Sequence, residues 1–186
     1  ACANALKEAG YDVTPIDVQR DMGALMTRLY PKPNAVFNAL HGRYGEDGCV
    51  QGLLDILAIP YTHSGLLASA IAMDKPMAKR LFALAGIPVA EHVLASPDEV
   101  LTGDLLPRPY VVKPANEGSS VGVQIIRNGG NGPVINEGMA GESQMMVEAF
   151  IPGRELTVAV KGGKALAVTE VKTDRGFYDY DAKYVD

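Results

Sequence analysis

The sequence predicts an α/β protein of two lobes, a parallel-sheet lobe followed by an antiparallel-sheet lobe. Three observations point to it. Through residue 73, short apolar runs alternate with helical stretches, the rhythm of a parallel sheet. From residue 74 onward, "IPVAEHVLA", "PYVVKPA", "VGVQIIR", "QMMVEAFI", "ELTVAVK" and "KALAVTEVK" read as strands with little helix between them. A chain of 186 residues is long enough for one good-sized core or for two small ones sharing a cleft.

Taken in order, "ACANALKEAG" reads as a helix with Leu6 and the alanines on its apolar face and Gly10 as its C′ residue. It has no initiator methionine, basic n-region or apolar h-region, so it does not read as a signal peptide. The helix reads as cut midway, with an earlier strand expected before it. The polar end "YDAKYVD" has no closing element, so both ends read as truncated. "YDVTPIDV" then predicts a strand, Met22 to Leu29 a helix, and "AVFNAL" a buried strand. After the loop "HGRYGEDG", Val50, Leu53, Leu54 and Leu57 recur at helical spacing, and "IPYTHSG" predicts another strand and turn. Ligands of such sheets sit at the carboxyl ends of strands, where His41 and its glycine-rich loop fall. Asp74 is the expected N-cap of a helix through "KPMAKRLFALAG", with Pro76 in its first turn, Ala78, Leu81, Phe82 and Ala85 on its buried face, and Gly86 as its stop. "NGGNGPVINEGMAGES" is glycine-rich where a crossover helix is expected, and reads as an unusual loop or a place where residues are missing.

Composition narrows the function classes. A net charge of -5 and a pI near 5.2 lack the basic stripe that a phosphate backbone requires, which argues against nucleic acid. Hydrophobic residues at 47%, a mean hydropathy of +0.04 and the lack of a long apolar run argue against a membrane span. Cys2 and Cys49 have no metal-ligand spacing, and two cysteines fit a reducing compartment, hence a cytoplasmic protein.

Two stretches could carry chemistry. In "VVKPANEGSSVG", alternation puts Lys113 on the face of Val111, and a buried lysine needs an anionic partner. Gly118 and Gly122 let the backbone approach a ligand, and Ser119 and Ser120 offer N–H and hydroxyl donors to phosphate oxygens. The order is the reverse of a P-loop, in which the glycines precede the lysine. The bland alternative is a surface lysine on an edge strand. In "MMVEAFIPGRE", Glu148 lies within an apolar strand and Glu155 follows a Pro-Gly turn. One reading is a solvated edge, with Met146, Glu148 and Phe150 as a mixed outer face. The other makes Glu148 an acceptor for the exocyclic amine of adenine, the backbone near Ile151 a donor to the ring, and Glu155 an acceptor for ribose hydroxyls.

Four blocks in order give the chain a family resemblance. "HGRYGEDGCVQG" resembles H-G-x-x-G-E-D-G-x-x-Q-G, "MDKPMAK" an M-D-K helix start, "VVKPANEGSSVG" K-P-x-x-E-G-S-S-V-G, and "FYDYDAKY" an ω-loop motif. Through nearly all 186 residues the chain resembles the D-alanine–D-alanine ligases of the ATP-grasp superfamily. The resemblance implies a pre-ATP-grasp, Rossmann-like domain over 1–73, a central ATP-binding domain over 74–155, and the start of a C-terminal ATP-grasp domain with the ω-loop over 156–186. It implies that Lys75 and Lys113 contact ATP phosphates, that Glu148, Ala149, Ile151, Glu155 and Tyr178 belong to the nucleotide site, and that Ser119 and Ser120 cover the transferred phosphoryl group. His41 is implied at the D-alanine site, and Lys183 at the γ-phosphate. Tyr184 is implied to close the lid by hydrogen bonding to Ser119. His63 and His92 match no site position and read as structural.

The implied cofactors are ATP and Mg²⁺ or Mn²⁺, and the implied assembly is a homodimer. The family's N-terminal Gly-Gly-x-Ser loop with its glutamate, its later arginine, and its Asp, Glu and Asn metal ligands have no counterpart in the sequence. No metal ligand is therefore expected within it, and the 186 residues alone are expected to be inactive. The implied reaction joins two D-alanines through an acyl phosphate, for peptidoglycan precursor synthesis. A sister ligase accepting D-lactate or D-serine would share the ATP cradle, although Tyr184 in "FYDYDAKY" favours D-alanine. A non-catalytic nucleotide-binding module is the competing class.

Overall fold

The computed structural model describes residues 1–118, 120–136, 139 and 141–172. The chain divides into two compact units, with the second beginning at Ile71. The whole is a mixed helix and sheet architecture whose sheets are antiparallel. Among the described residues, no helix is long and apolar enough to cross a membrane.

The first unit holds α1 (Cys2–Glu8), α2 (Met22–Arg28) and α3 (Cys49–Ile56); α4 (Leu66–Met73) follows. Asp21 starts α2 by accepting a hydrogen bond from the Ala24 N–H at 2.9 Å, which satisfies one orphan donor of the first turn. The apolar face of α3 packs as its spacing predicts: Leu54 is buried with Leu25, Leu29 and Ile59, and Val50, Leu53 and Leu57 pack against that cluster. The strands expected in this unit are largely absent. Residues 11–18 form no strand among the described residues, because no segment there offers them a ladder of backbone partners. "AVFNAL" contributes only an isolated parallel bridge from Val36 to Tyr61, held by Val36 N–H to the Pro60 carbonyl at 2.8 Å and Thr62 N–H to the Val36 carbonyl at 3.0 Å.

The second unit opens with α5 (Lys75–Leu84), capped by the Asp74 carboxylate, which accepts from the Met77 N–H at 2.8 Å. Beyond its end, Gly86 adopts φ +75°, a left-handed stop that costs glycine little. The buried face matches the one the apolar spacing predicts only at Ala78. Ala78 and Lys79 are inside, while Leu81 and Phe82 are 41% and 48% exposed. The helix is rolled so that Lys75 and Lys79, one turn apart, reach carbonyl and carboxylate partners that offset the burial of two ammoniums.

All six expected strands form. They are β1 (His92–Ala95), β2 (Tyr110–Pro114), β3 (Gln124–Ile126), β4 (Met145–Ala149), β5 (Glu155–Lys161) and β6 (Lys164–Val171), with α6 (Pro97–Leu101) between β1 and β2. The first four make an antiparallel sheet in the order β1-β4-β2-β3. Tyr110, Val112, Met145 and Val147 face a core completed by Val100, Leu106, Ile126 and Met139, so Met139 anchors the glycine-rich segment that stands where a crossover helix was expected. α6 carries a full capping box, with Glu99 N–H to Ser96 Oγ at 3.3 Å and Ser96 N–H to Glu99 Oε2 at 2.7 Å. β5 and β6 form a separate hairpin across Gly162 and Gly163, both at positive φ, as a two-residue turn of matching twist requires.

Candidate functional site

The four-stranded sheet has a second face, and it lines a cleft of about 930 Å³. Alternation along β2 buries Tyr110 and Val112 in the core and turns Val111 and Lys113 to the cleft. Both β2 and β4 lie inside the sheet, so neither the edge lysine nor the solvated-edge glutamate survives as a description. Val111 pairs with Glu148 and Lys113 with Met146, which makes Lys113 and Glu148 diagonal neighbours on one face. Lys113 Nζ donates to Glu148 Oε2 at 2.5 Å. Lys79 Nζ, from α5, donates to the other carboxylate oxygen, Oε1, and to the Ala90 carbonyl at 2.7 Å. Burial raises the Glu148 pKa, but hydrogen bonds from Lys113 and Lys79 outweigh it and hold the carboxyl below its ordinary value.

Lys75 enters the same cleft from the first turn of α5. Its Nζ donates to the Glu117 carbonyl and approaches the Ala115 carbonyl at 3.5 Å. Burial, and then the neighbouring Lys113 ammonium, push its pKa down to about 8. At the rim, Ser120 sits at φ +63° and Gly122 at φ +68°, in a turn tied by Val121 N–H to the Gly118 carbonyl at 3.1 Å. Ala149, Ile151 and Glu155 complete the expected set on the cleft wall. Seven expected residues therefore share one cleft: Lys75, Lys113, Ser120, Glu148, Ala149, Ile151 and Glu155. Ser119, Tyr178, Lys183 and Tyr184 lie outside the described residues.

His41 belongs to the first unit, in a loop whose own motif residues fold it. Glu46 accepts from the Gly42 N–H at 2.6 Å, and Asp47 accepts from the Tyr44 and Cys49 N–H groups at 2.8 and 3.0 Å. Gln51, fully buried on α3, donates to the Gly45 carbonyl at 2.8 Å. A Cβ at Gly45 would stand 2.4 Å from Leu40 Cβ, so this position admits only glycine unless the loop shifts. His63 Nδ1 lies 3.2 Å from Gln51 Nε2 and 3.5 Å from Ser69 Oγ. His92 stands opposite Glu148 in the β1–β4 register. Among the described residues no three His, Cys, Asp or Glu side chains converge as a metal site, so these residues alone do not fit a divalent cation.

Sequence reasoning passed over Lys79. Its signal was the i+4 spacing from Lys75 in "MDKPMAK", which puts two cations on one helix face. The cleft thus has Lys75 and Lys113 on its wall, a clamped carboxylate behind them and a small-residue turn at its rim, an arrangement that offers cationic groups to an anionic small molecule.

Comparison with known proteins names the family. The family model described as D-ala D-ala ligase N-terminus matches residues 23–64, and that described as D-ala D-ala ligase C-terminus matches residues 81–186. The chain belongs to the D-alanine–D-alanine ligase family. It is 59% identical to a D-alanine–D-alanine ligase of Cereibacter sphaeroides over 185 residues, 99% of this chain and 59% of that one. It is 58% identical to the Rhodospirillum rubrum ligase over 186 residues, 99% of this chain and 62% of that one. The chain thus spans about three-fifths of the length of these curated relatives. Among solved structures it resembles the Bacillus anthracis D-alanine–D-alanine ligase at a TM-score of 0.69 and 30% identity, covering 90% of this chain and 57% of that one. The same enzyme complexed with ATP matches at 0.68 and 27%, covering 92% and 58%.

Proposed function

We propose that this chain carries the ATP-binding part of an enzyme that ligates two D-alanines into D-alanyl-D-alanine for peptidoglycan precursors. The observation that supports this most is the convergence in one cleft of Lys75 and Lys113, each from a different motif of the family pattern, with Glu148 of the apolar strand. In this reading the two lysines take the phosphates, Glu148 accepts from the adenine amine, Ala149 and Ile151 meet the ring through their backbone, and Glu155 takes the ribose. Ser120 closes over the γ-phosphoryl group. On the motif match alone, Ser119, Tyr178, Lys183 and Tyr184 join it, and His41 serves the D-alanine side.

The chemistry is carboxylate activation. A carboxylate oxygen of the first D-alanine attacks the γ-phosphorus, the β–γ bridging bond breaks, and ADP leaves. The amine of the second D-alanine then attacks the acyl carbon, phosphate departs with the bonding pair, and the nitrogen loses a proton. Phosphoryl transfer needs charge neutralised and atoms aligned more than it needs a protein nucleophile, which suits a site built from lysines. An acyl phosphate must be kept from water, which suits a closing loop such as "DRGFYDYDAKY". Mg²⁺ or Mn²⁺ belongs to this reading through the family, with its ligands outside the described residues. So do a homodimer, a cytoplasmic location, and a division into 1–73, 74–155 and 156–186. The parallel sense of the Val36–Tyr61 bridge supports a pre-ATP-grasp parallel sheet in the first of these.

Titration calorimetry with ATP on the wild-type chain and on Lys113→Ala tests the reading. Removing a charge-assisted contact from a dry site costs about 1.5–3 kcal/mol, roughly ten- to a hundredfold in affinity. Unchanged affinity with a native circular dichroism spectrum would overturn the role of Lys113.

A further inference from the structure

Glu148 is held by two lysines that differ in one respect. Lys113 lines the cleft and can turn toward a ligand, whereas Lys79 is not on the cleft wall. Lys79 has a side chain only 10% exposed and is tied both to Glu148 Oε1 and to the Ala90 carbonyl at 2.7 Å. An ammonium has three donors, and Lys79 commits two of them to fixed protein oxygens. If Lys113 moves to a phosphate, Glu148 Oε2 loses its donor and becomes an acceptor facing the cleft, while Oε1 stays anchored.

We propose that Lys79 is a positioning residue for nucleobase selection: by anchoring Glu148 Oε1 from behind the cleft, it holds the carboxylate in place and aims Oε2 at a base that presents an amino group. An amino group donates to that oxygen. An oxo group at the same ring position would set its lone pairs against a carboxylate and be rejected, which is selection by an unpaired buried acceptor. The effect falls on the base end of the ligand and leaves the phosphate end to Lys75 and Lys113. This inference rests on the nucleotide reading of the cleft, and its test separates the two.

The affinities of ATP, GTP and inorganic tripolyphosphate are measured for the wild-type chain and for Lys79→Met, Lys79→Arg and Glu148→Gln. In Lys79→Met, ATP affinity is expected to fall about tenfold and the ATP-to-GTP preference to collapse, with tripolyphosphate affinity within about twofold of wild type. Lys79→Arg, which keeps the charge, is expected to restore most of the preference. An unchanged ATP-to-GTP ratio in Lys79→Met, or equal losses for all three ligands, would overturn the proposal. If the wild-type chain binds tripolyphosphate but does not prefer ATP over GTP, the proposal fails while a phosphate site remains. If it binds none of the three, the nucleotide reading itself fails. Should Lys79→Met not fold because it strands the carboxylate, the double variant Lys79→Met/Glu148→Gln is compared with Glu148→Gln alone. Equal ATP-to-GTP ratios support action through Glu148, and a further drop in the double variant refutes it.

Discussion

The Glu148 carboxylate on β4 accepts from Lys113, its diagonal neighbour on β2, at 2.5 Å, and the bond joins residues 35 positions apart in the chain. Because Lys113 and Lys79 lower the Glu148 pKa, the folded state holds this carboxylate ionised to a lower pH than the unfolded chain does. The associated stability is present above the unfolded carboxyl value and is lost as pH falls through the folded one. Glu148→Gln is expected to destabilise the chain by about 1.5–3 kcal/mol at pH 7, with the gap to wild type narrowing on acidification. Urea unfolding midpoints from pH 7 down to pH 3 check this, and a gap that does not change with pH would sink it.

Lys75 predicts a pH dependence of the opposite sense. With its pKa pushed down to about 8 in the free protein, it is cationic at pH 7 and mostly neutral at pH 9. If only the cation meets the phosphates, ATP affinity falls about tenfold from pH 7 to pH 9. Lys75→Arg, charged throughout, is expected to flatten that slope, and Lys75→Met to bind weakly at both values. Calorimetric titrations at three pH values distinguish these outcomes.

Asp74 caps the helix that delivers both α5 lysines, through its 2.8 Å acceptance from the Met77 N–H. Asp74→Ala is expected to cost about 1 kcal/mol, read as a lower denaturation midpoint with an unchanged m-value. Asp74→Ser, which keeps a capping oxygen, is expected to recover most of it.

Gln51 fastens the His41 loop through the Gly45 carbonyl at 2.8 Å and is fully buried. Gln51→Leu removes that donor and leaves the Gly45 carbonyl with the Asn38 side-chain amide at 3.1 Å, so the expected loss is about 0.5–1.5 kcal/mol. Amide exchange across residues 42–48 is expected to quicken more than exchange in the β1-β4-β2-β3 sheet, and uniform quickening would assign Gln51 to global stability alone.

The sequence by itself determined the local structure of the second unit and the family. Its apolar runs form all six strands, the Asp74 cap starts α5, and the ordered motifs contain the lysines of the cleft, with its glutamate in the apolar run "MMVEAFIPGRE". It also determined which face Lys113 shares, because strand side chains alternate with period two. Period two does not say which strand lies alongside. Only the tertiary structure decided the order β1-β4-β2-β3, which set Lys113 and Glu148 on adjacent interior strands and removed the edge alternatives. The same order set Lys79 against Glu148, 69 residues away, and so rolled α5 onto its lysines with Leu81 and Phe82 turned outward. Apolar spacing could not foresee that roll, since a buried ammonium is tolerable only beside a carboxylate whose position is set by long-range pairing. In the first unit the limit was the same: an extended run such as 11–18 becomes a strand only where another segment supplies its hydrogen-bond partners.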